Sequence, residues 1–399
     1  MKSIIMKVFL WGFVLVLFTP VIGTASEKTE ILVGAVIQAT GKFSGEGKEN
    51  HNGMLLWVDD VNAKGGIFVK DIGKRLPVKL MTYDDRSDTS TCVKLYERLI
   101  TVDKVDLLLP PWGSANHFAV TAVTEKHKFP LVMGSAAAEQ IFARGFKYLF
   151  ETAPLTVTNV APFSDYLGTV KDQIKTTAIL YENHLFPLAI KDSLEKALRK
   201  AGFDIAMMEQ YPLGCTDFSS VLTKVRALNP DALFLLNIMP SSIYATKQMI
   251  ELGIKPKFYM VNIGPTYSKE FIYGIGDFTE GICETGYWIS DLNYKGAKEF
   301  GKKYLDRFEK IAIPDGAWPY MAGQILEQAI EKAGTLDHEK IKNILHSEEF
   351  YCIGGPFKYD EKGVNIKQKG FMTQVQGRKR VIVWPPELAN AKVVFPKRY

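Results

Sequence analysis

The chain lacks the short motifs that mark common enzyme classes. Its 399 residues contain no Gly-x-Ser-x-Gly elbow and no His-Glu-x-x-His pair. The six histidines are scattered, and no two of them stand at metal-ligand spacing on a clear helix face. The Gly-rich segment 41–47 lacks the Gly-Lys-Ser/Thr ending of a phosphate-binding loop, and no Gly-x-Gly-x-x-Gly follows the first strand. Catalysis therefore has no positive support, and we expect no cofactor and no metal.

The chain also has few cysteines and only a small excess of positive charge. The four cysteines stand at 92, 215, 283 and 352, and the absence of Cys-x-x-Cys gives a zinc or redox centre little support. If the protein is exported, they could pair in three ways, and four buried free thiols fit the sequence equally well. The net charge is only +5 and forms no basic stripe, which argues against a nucleic-acid partner.

One long apolar run occurs, and it lies at the N-terminus. Lys2 and Lys7 precede the apolar segment 8–18. Small residues at 23–25 then provide a cleavage point. Because a membrane-spanning helix needs about 20 apolar residues, this run is too short for an anchor. We predict that residues 1–25 are a cleaved signal peptide and that the mature protein is periplasmic or otherwise extracytoplasmic.

From residue 26 onward, apolar strands alternate with amphipathic helices. The main predicted elements are strands 31–37, 76–83, 177–181, 231–236 and 257–261, a loop at 41–47 before helix 52–63, a helical block at about 294–345 and a hairpin at 370–383. Continuous apolar strands between such helices indicate parallel sheets covered on both faces, so the fold class is α/β. The pattern restarts near residue 175, which predicts a second α/β unit.

Two strands of the first unit end in a short turn that contains a serine. Strand 105–109 leads to Ser114, and strand 131–133 leads to Ser135. Serine is a favoured N-cap, and a helix start presents free N–H groups at the positive end of the helix dipole. Such turns meet at the carboxyl edge of a parallel sheet, where ligands bind. We predict a crevice in which main-chain amides hold a carboxylate, although simple helix capping explains both serines equally well.

Other residues near this edge allow two interpretations. Trp112 and Phe186 could wall a ligand pocket, and packing explains them equally well. His117 and His184 lie near the same rim, and we expect both to be surface residues.

The acidic pair Asp84 and Asp85 could carry out acid–base chemistry. A solvated turn, in which Asp88 caps the next helix, is the favoured interpretation, because these residue types form local hydrogen bonds in turns.

Eight segments occur in a specific order along the chain. They are 31–37 with Thr40-Gly41, Val61–Ile67, Tyr83–Asp85, Pro130–Val132, Ala143–Phe146, Gly354–Phe357, Asp360–Gly363 and Val383–Leu388. In this order they resemble the Leu/Ile/Val-binding protein family, the type I periplasmic binding proteins of ABC importers. The Asn-Ala-Lys-Gly-Gly-Ile stretch within Val61–Ile67 is the most specific of them.

The resemblance implies two doubly wound parallel-sheet lobes, joined by a three-strand hinge, with a ligand between them. Lobe 1 would comprise 26–152 plus 286–358, and lobe 2 would comprise 153–285 plus 359–399. The candidate ligand-binding residues, from the serine turns, the rim and the resemblance together, are Glu46, Trp112, Gly113, Ser114, Ser135, Ala136, Ala137, Ala138, Phe186, Ile238 and Asn262.

Two positions depart from the family's amino-acid binders. Ala138 stands where those proteins usually carry a hydroxyl residue, and Asn262 stands about where they place an acid that neutralises the ammonium. A buried ammonium without a counter-charge is costly, so Glu46 would have to substitute. Otherwise the ligand is a carboxylate without the amine, and Trp112 and Phe186 favour an aromatic one.

These features together predict a solute receptor and not an enzyme. It would deliver an amino acid or a related small carboxylate to the membrane permease of an ABC importer. Two alternatives stay open: a sensory module of the same fold that signals to a membrane partner, and an exported enzyme that uses Glu46 or the pair Asp84 and Asp85.

Overall fold

The computed structural model describes residues 28–399, so the predicted signal peptide lies outside the described residues. The α-helices are α1 (Ser44–Ala63), α2 (Thr89–Thr101), α3 (Ser114–Lys126), α4 (Thr156–Thr169), α5 (Leu185–Lys200), α6 (Ser219–Leu228), α7 (Ser241–Glu251), α8 (Lys269–Ile275), α9 (Ala297–Phe308), α10 (Pro314–Ala333) and α11 (His338–Ser347). In this described part, no helix combines the length and apolar character needed to cross a membrane.

The strands alternate with these helices for most of the chain. They are β1 (Ile31–Ile37), β2 (Ile67–Val69), β3 (Lys74–Leu76), β4 (Val78–Asp84), β5 (Leu107–Leu108), β6 (Leu131–Val132), β7 (Leu149–Phe150), β8 (Thr177–Glu182), β9 (Ile205–Tyr211), β10 (Ala232–Leu236), β11 (Phe258–Val261), β12 (Cys283–Gly286), β13 (Glu349–Cys352), β14 (Gly355–Lys358), β15 (Phe371–Gln376) and β16 (Lys379–Trp384). The predicted α/β class is confirmed.

The first sheet is parallel, with strand order β4-β1-β5, and β6 and β7 form a separate parallel pair. Successive β1 side chains point to opposite faces. Val33 and Ala35 therefore pack in the apolar cluster that contains α1 and α10, and Val36 packs in the cluster that contains α2 and α3. Both faces of β1 are covered, which explains why its sequence is apolar throughout.

The second sheet has seven strands in the order β16-β15-β12-β11-β10-β8-β9. Strands β8 to β12 are parallel, and β15 and β16 join them as an antiparallel hairpin, so this sheet is mixed. The predicted hairpin is confirmed. Its two-residue turn, Gly377-Arg378, has positive φ at both positions, the geometry that joins antiparallel neighbours most directly.

The chain passes between the two sheets three times. It leaves the elements packed around the first sheet after β7, comes back to them with α9 after β12 and crosses again before β15. The predicted helical block corresponds to α9, α10 and α11, which pack in the same apolar cluster as β1. The lobe boundaries given above stay a prediction.

Helix α1 begins well before its predicted start. The Gly-rich segment 41–47, predicted to be a loop, contains the first turn of α1, which starts at Ser44. A Cβ atom at Gly47 would lie 2.2 Å from the Gln38 carbonyl oxygen. Glycine there permits a close approach of the helix to the end of β1, and the sequence alone does not distinguish that use of glycine from a flexible loop.

All four cysteines carry free thiols. Cys92, Cys283 and Cys352 are buried and Cys215 is half-buried. Burial raises the pKa of the Cys92 thiol well above its ordinary value and the pKa of Cys283 and Cys352 to about 12. These thiols therefore belong to the packing of the core.

Candidate functional site

A cleft of about 760 Å³ opens where loops from both sheets face each other. Its walls come from the loops that follow β5, β6, β8, β10 and β11 and from the first turns of α1 and α10. Eight predicted site residues line it, namely Glu46, Trp112, Gly113, Ser114, Ser135, Ala137, Phe186 and Ile238. Loops at the carboxyl ends of parallel strands thus meet at one place, as the sheet geometry requires.

Three predicted site residues lie behind the cleft wall. Ala136 and Ala138 are fully buried in the apolar cluster beneath α3. Of residues 135–138, only Ser135 and Ala137 line the cleft, and Ala138 has extended backbone angles. Asn262 is also fully buried, and its side-chain oxygen accepts a hydrogen bond from the Asn237 amide at 2.5 Å. The prediction that these three line the cleft is not met.

The two serine turns lie together and clamp one another. Ser135 Oγ accepts from the Gly113 amide at 2.7 Å, and Ser114 Oγ accepts from the Ala137 amide at 3.3 Å. Neither serine caps a helix. Gly113 is the residue before α3, and the segment after Ser135 leads only to a 3-10 helix, Glu139–Arg144. The prediction that a helix starts at Ser135 is therefore wrong. The Ser135 hydroxyl oxygen accepts from the neighbouring turn and not from a helix amide.

One helix N-terminus remains available to an anion. The amides of Ser114, Ala115 and Asn116 in the first turn of α3 have no acceptor within residues 28–399. They lie at the positive end of the helix dipole, and Ser114 faces the cleft. The predicted main-chain anion site thus has a structural counterpart, built on one helix.

His117 holds the two turns in register. Its ring is fully buried, with Nδ1 at 2.9 Å from the Gly113 carbonyl oxygen and Nε2 accepting from the Gly134 amide at 3.1 Å. The expectation that His117 is a surface residue is wrong. Its position one helical turn after Gly113 is visible in the sequence, but its second partner comes from another strand end. His184, expected at the surface, is half-buried and lines the cleft.

The neutral ring of His117 makes stability depend on pH. Burial lowers the pKa of His117 to about 4, below its ordinary value of 6.5. Between these values the unfolded chain binds a proton that the folded protein does not, so this contribution is complete above pH 6.5 and is lost as the pH falls to 4. The shift corresponds to about 3 kcal/mol.

We therefore expect the stability difference between wild type and His117→Asn to narrow by about 3 kcal/mol between pH 7 and pH 4. Asparagine keeps a donor and an acceptor but does not titrate there. Urea unfolding at a series of pH values measures the difference, and a difference that does not change with pH would contradict the assignment.

A carboxylate that sequence analysis missed lies at the floor of the cleft. Asp315, in the first turn of α10, is 2% exposed, and its Oδ1 accepts from Trp112 Nε1 at 2.9 Å. Burial, together with the nearby carboxylates of Glu46 and Glu49, raises the pKa of Asp315 well above its ordinary value. Its sequence context, Ile-Pro-Asp-Gly, resembles any helix start, and only the packing of α10 against α1 brings Asp315 to the cleft.

Other carboxylates hold loops at the strand ends. Asp84 accepts from the Ala39 amide at 3.0 Å, and Asp88 caps α2 by accepting from the Thr91 amide at 2.7 Å, so the turn interpretation of this segment is supported. Glu284, at the cleft side of β12, accepts from the Gly264 and Thr266 amides, and burial raises its pKa to about 7. Within residues 28–399, no group of three or more candidate ligands is arranged to hold a metal ion.

The chain is similar in sequence to curated proteins over most of its length. The chain is 23% identical to Leu/Ile/Val-binding protein homolog 7 of Brucella melitensis, with 94% of this chain and 96% of that protein covered. It is 24% identical to Leu/Ile/Val-binding protein homolog 8 of Brucella abortus, with 92% and 94% covered.

Two solved structures share the fold. One is the branched-chain amino acid transporter substrate binding protein LivJ of Streptococcus pneumoniae in complex with isoleucine, with a TM-score of 0.77, 21% identity and coverage of 92% of this chain and 100% of that chain. The other is an ABC transporter solute binding protein of R. palustris in complex with benzoate, with a TM-score of 0.75, 17% identity and coverage of 91% and 99%.

A match to a family model shows which family the chain belongs to. A family model described as "Periplasmic binding protein" matches residues 30–380, which is most of the chain. The predicted resemblance is thereby confirmed. The chain belongs to the periplasmic binding protein family, and the curated relatives named above are Leu/Ile/Val-binding protein homologues.

Proposed function

We propose that this protein is the extracytoplasmic solute receptor of an ABC importer and that it binds an amino acid or a related small carboxylate in the cleft. The observation that carries the proposal is the start of α3, where the first-turn amides are unpaired within residues 28–399 and Ser114 lines a cleft formed by both sheets. Relatives support the class of ligand, since LivJ is described with isoleucine and the R. palustris protein with benzoate.

Ligand binding would draw the two halves together. Ser114 and Trp112 reach the cleft from the side of the first sheet, and Phe186 and Ile238 reach it from the side of the second. A ligand that touches both sides binds the closed form more tightly and so shifts the population towards it. In this proposal residues 1–25 direct export, and the permease recognises the closed form.

Calorimetry with leucine, isoleucine and benzoate tests the proposal, with small-angle scattering to follow closure. Ser135→Asp keeps an acceptor for the Gly113 amide but places a negative charge beside the anion site. We expect this variant to weaken the binding of a carboxylate probe by at least about tenfold, because like charges repel across a short distance in a poorly solvated cleft.

Ser135→Asn is the matched control, since it has the same shape without the charge. It should bind the probe nearly as well as the wild type does. If Ser135→Asp and Ser135→Asn bind a carboxylate equally well, the anion is not held at these turns. If none of the three probes binds the wild type, the proposed ligand class fails.

A further inference from the structure

Asp315 is a buried carboxylate without a counter-ion. Within residues 28–399, its only hydrogen-bond donor is Trp112 Nε1, and no lysine or arginine forms an ion pair with it. The charged groups that act on it, Glu46 and Glu49, have the same sign. An unpaired buried charge is among the most costly arrangements in a protein.

The neighbouring Glu49 shows the contrast. Lys310 Nζ lies 2.5 Å from Glu49 Oε1, and the Tyr304 hydroxyl donates to the same carboxylate. Glu49 is therefore neutralised by the protein itself, at the rim of the cleft. Asp315, which is deeper, is left without such a partner.

Aromatic side chains with unused polar groups surround the same floor. Tyr287 and Trp318 are both 4% exposed, and their ring centroids lie 5.7 Å apart at an interplanar angle of 81°. Both line the cleft, yet the Tyr287 hydroxyl and Trp318 Nε1 have no hydrogen-bond partner among residues 28–399. Buried polar groups rarely stay unpaired, so an unpaired pair facing a ligand cleft points to partners supplied by the ligand.

We propose that Asp315, with the rings of Trp112, Trp318 and Tyr287, forms a cation subsite that takes the ammonium nitrogen of the solute. The carboxylate supplies the opposite charge, and the electron-rich ring faces attract a cation. The Tyr287 hydroxyl accepts from an N–H, and Trp318 Nε1 donates to an oxygen of the same solute. This assignment rests on the proposed function and narrows its ligands to solutes that carry an amine.

The subsite also supplies the negative charge that the family's amino-acid binders place at about the position of Asn262. Asn262 is buried behind the wall and cannot reach a ligand. Asp315 supplies the counter-charge from α10, on the side of the first sheet. Glu46, the substitute considered from the sequence, lines the same cleft and adds to its negative field.

Two matched pairs of probes test the subsite by calorimetry. L-leucine is compared with 4-methylpentanoate, which keeps the carbon skeleton and the carboxylate but lacks the amine, and benzylamine is compared with benzoate. In the wild type we expect the amine-bearing member of at least one pair to bind at least about tenfold more tightly. In Asp315→Asn, which keeps an acceptor for Trp112 Nε1, that ratio should fall to about one.

Glu361→Gln is the control, because Glu361 is an exposed carboxylate that does not line the cleft. It removes one negative charge without touching the floor, and it should leave the ratio unchanged. The melting temperature of ligand-free Asp315→Asn should be equal to or higher than that of the wild type, since a buried acid without a counter-ion has been replaced by a neutral amide. If Asp315→Asn loses the preference for the amine and is as stable as the wild type, a purely structural role of Asp315 does not explain the loss.

Two results would overturn the subsite. If the wild type binds 4-methylpentanoate and benzoate at least as tightly as their amine-bearing partners, the cleft has no cation preference, although the solute-binding proposal stands. If the preference persists in Asp315→Asn, another group holds the amine. Binding of none of the four probes would overturn the subsite and the proposed function together.

Discussion

Replacing Gly53 by alanine should lower the free energy of unfolding by at least about 3 kcal/mol. Gly53 lies in the middle of α1, and a Cβ atom there would lie 1.9 Å from the Gly316 carbonyl oxygen of α10. That oxygen belongs to a backbone, which cannot turn away as a side chain can. The two helices would have to move apart by about 1 Å or more to relieve the contact.

The displaced helix carries Asp315 and Trp318, so Gly53→Ala should also weaken ligand binding. Urea unfolding measures the stability, and calorimetry with the probe that binds the wild type measures the affinity. Gly45→Ala is the control in the same helix, since no atom lies within 4 Å of the position that a Cβ atom would take there. It should be neutral or stabilising by up to about 1 kcal/mol. Equal stabilities for the two variants would contradict the close helix contact.

Removing the Glu182 carboxylate should be comparably damaging, with an expected loss of about 4 kcal/mol in the free energy of unfolding of Glu182→Ala. This side chain is 1% exposed and accepts from the Gly214 amide at 2.8 Å, the Ile238 amide at 2.7 Å and Ser241 Oγ at 2.8 Å. Alanine would leave the Ile238 amide and the Ser241 hydroxyl buried without this acceptor, whereas Gly214 is exposed. Each unsatisfied group costs about 1–3 kcal/mol.

Two controls separate this effect from the loss of any glutamate. Glu209, on the adjacent strand β9, pairs with Lys224 at 2.8 Å at the surface, and Glu209→Ala should cost less than about 1 kcal/mol. Glu182→Gln keeps one acceptor oxygen and should lie between the two. The denaturant midpoint should shift without a change of slope. A small loss in Glu182→Ala would show that the three donors find other acceptors.

Local patterns in the sequence were sufficient for most elements of the fold. The strand at 31–37 has its predicted bounds because its residues are apolar on both faces, and the tail hairpin was visible from Gln376-Gly377 between two apolar runs. The start of α1 could not be predicted, because Gly47 permits a close contact with Gln38, at the end of β1, which lies outside the Gly-rich segment 41–47.

The candidate site divides in the same way. The turns at Ser114 and Ser135 were visible because strand ends and turn residues are local signals, and the structure brings those turns together. The roles of His117 and Asp315 were not visible. Each depends on a partner far along the chain, Gly134 for the histidine and Trp112, 203 positions away, for the aspartate.

By itself, the sequence determined the α/β class and the loops that form the cleft, since periodicity and turn chemistry act over a few residues. The order of its motifs also carried the resemblance to the Leu/Ile/Val-binding proteins. Only the tertiary structure decided which side chains face the cleft and which charge lies at its floor. Those features depend on how α10 packs against α1 and on which side chains of residues 135–138 face the cleft. Burial and the distances between groups remote in sequence set them, and neither is a property of a local stretch of chain.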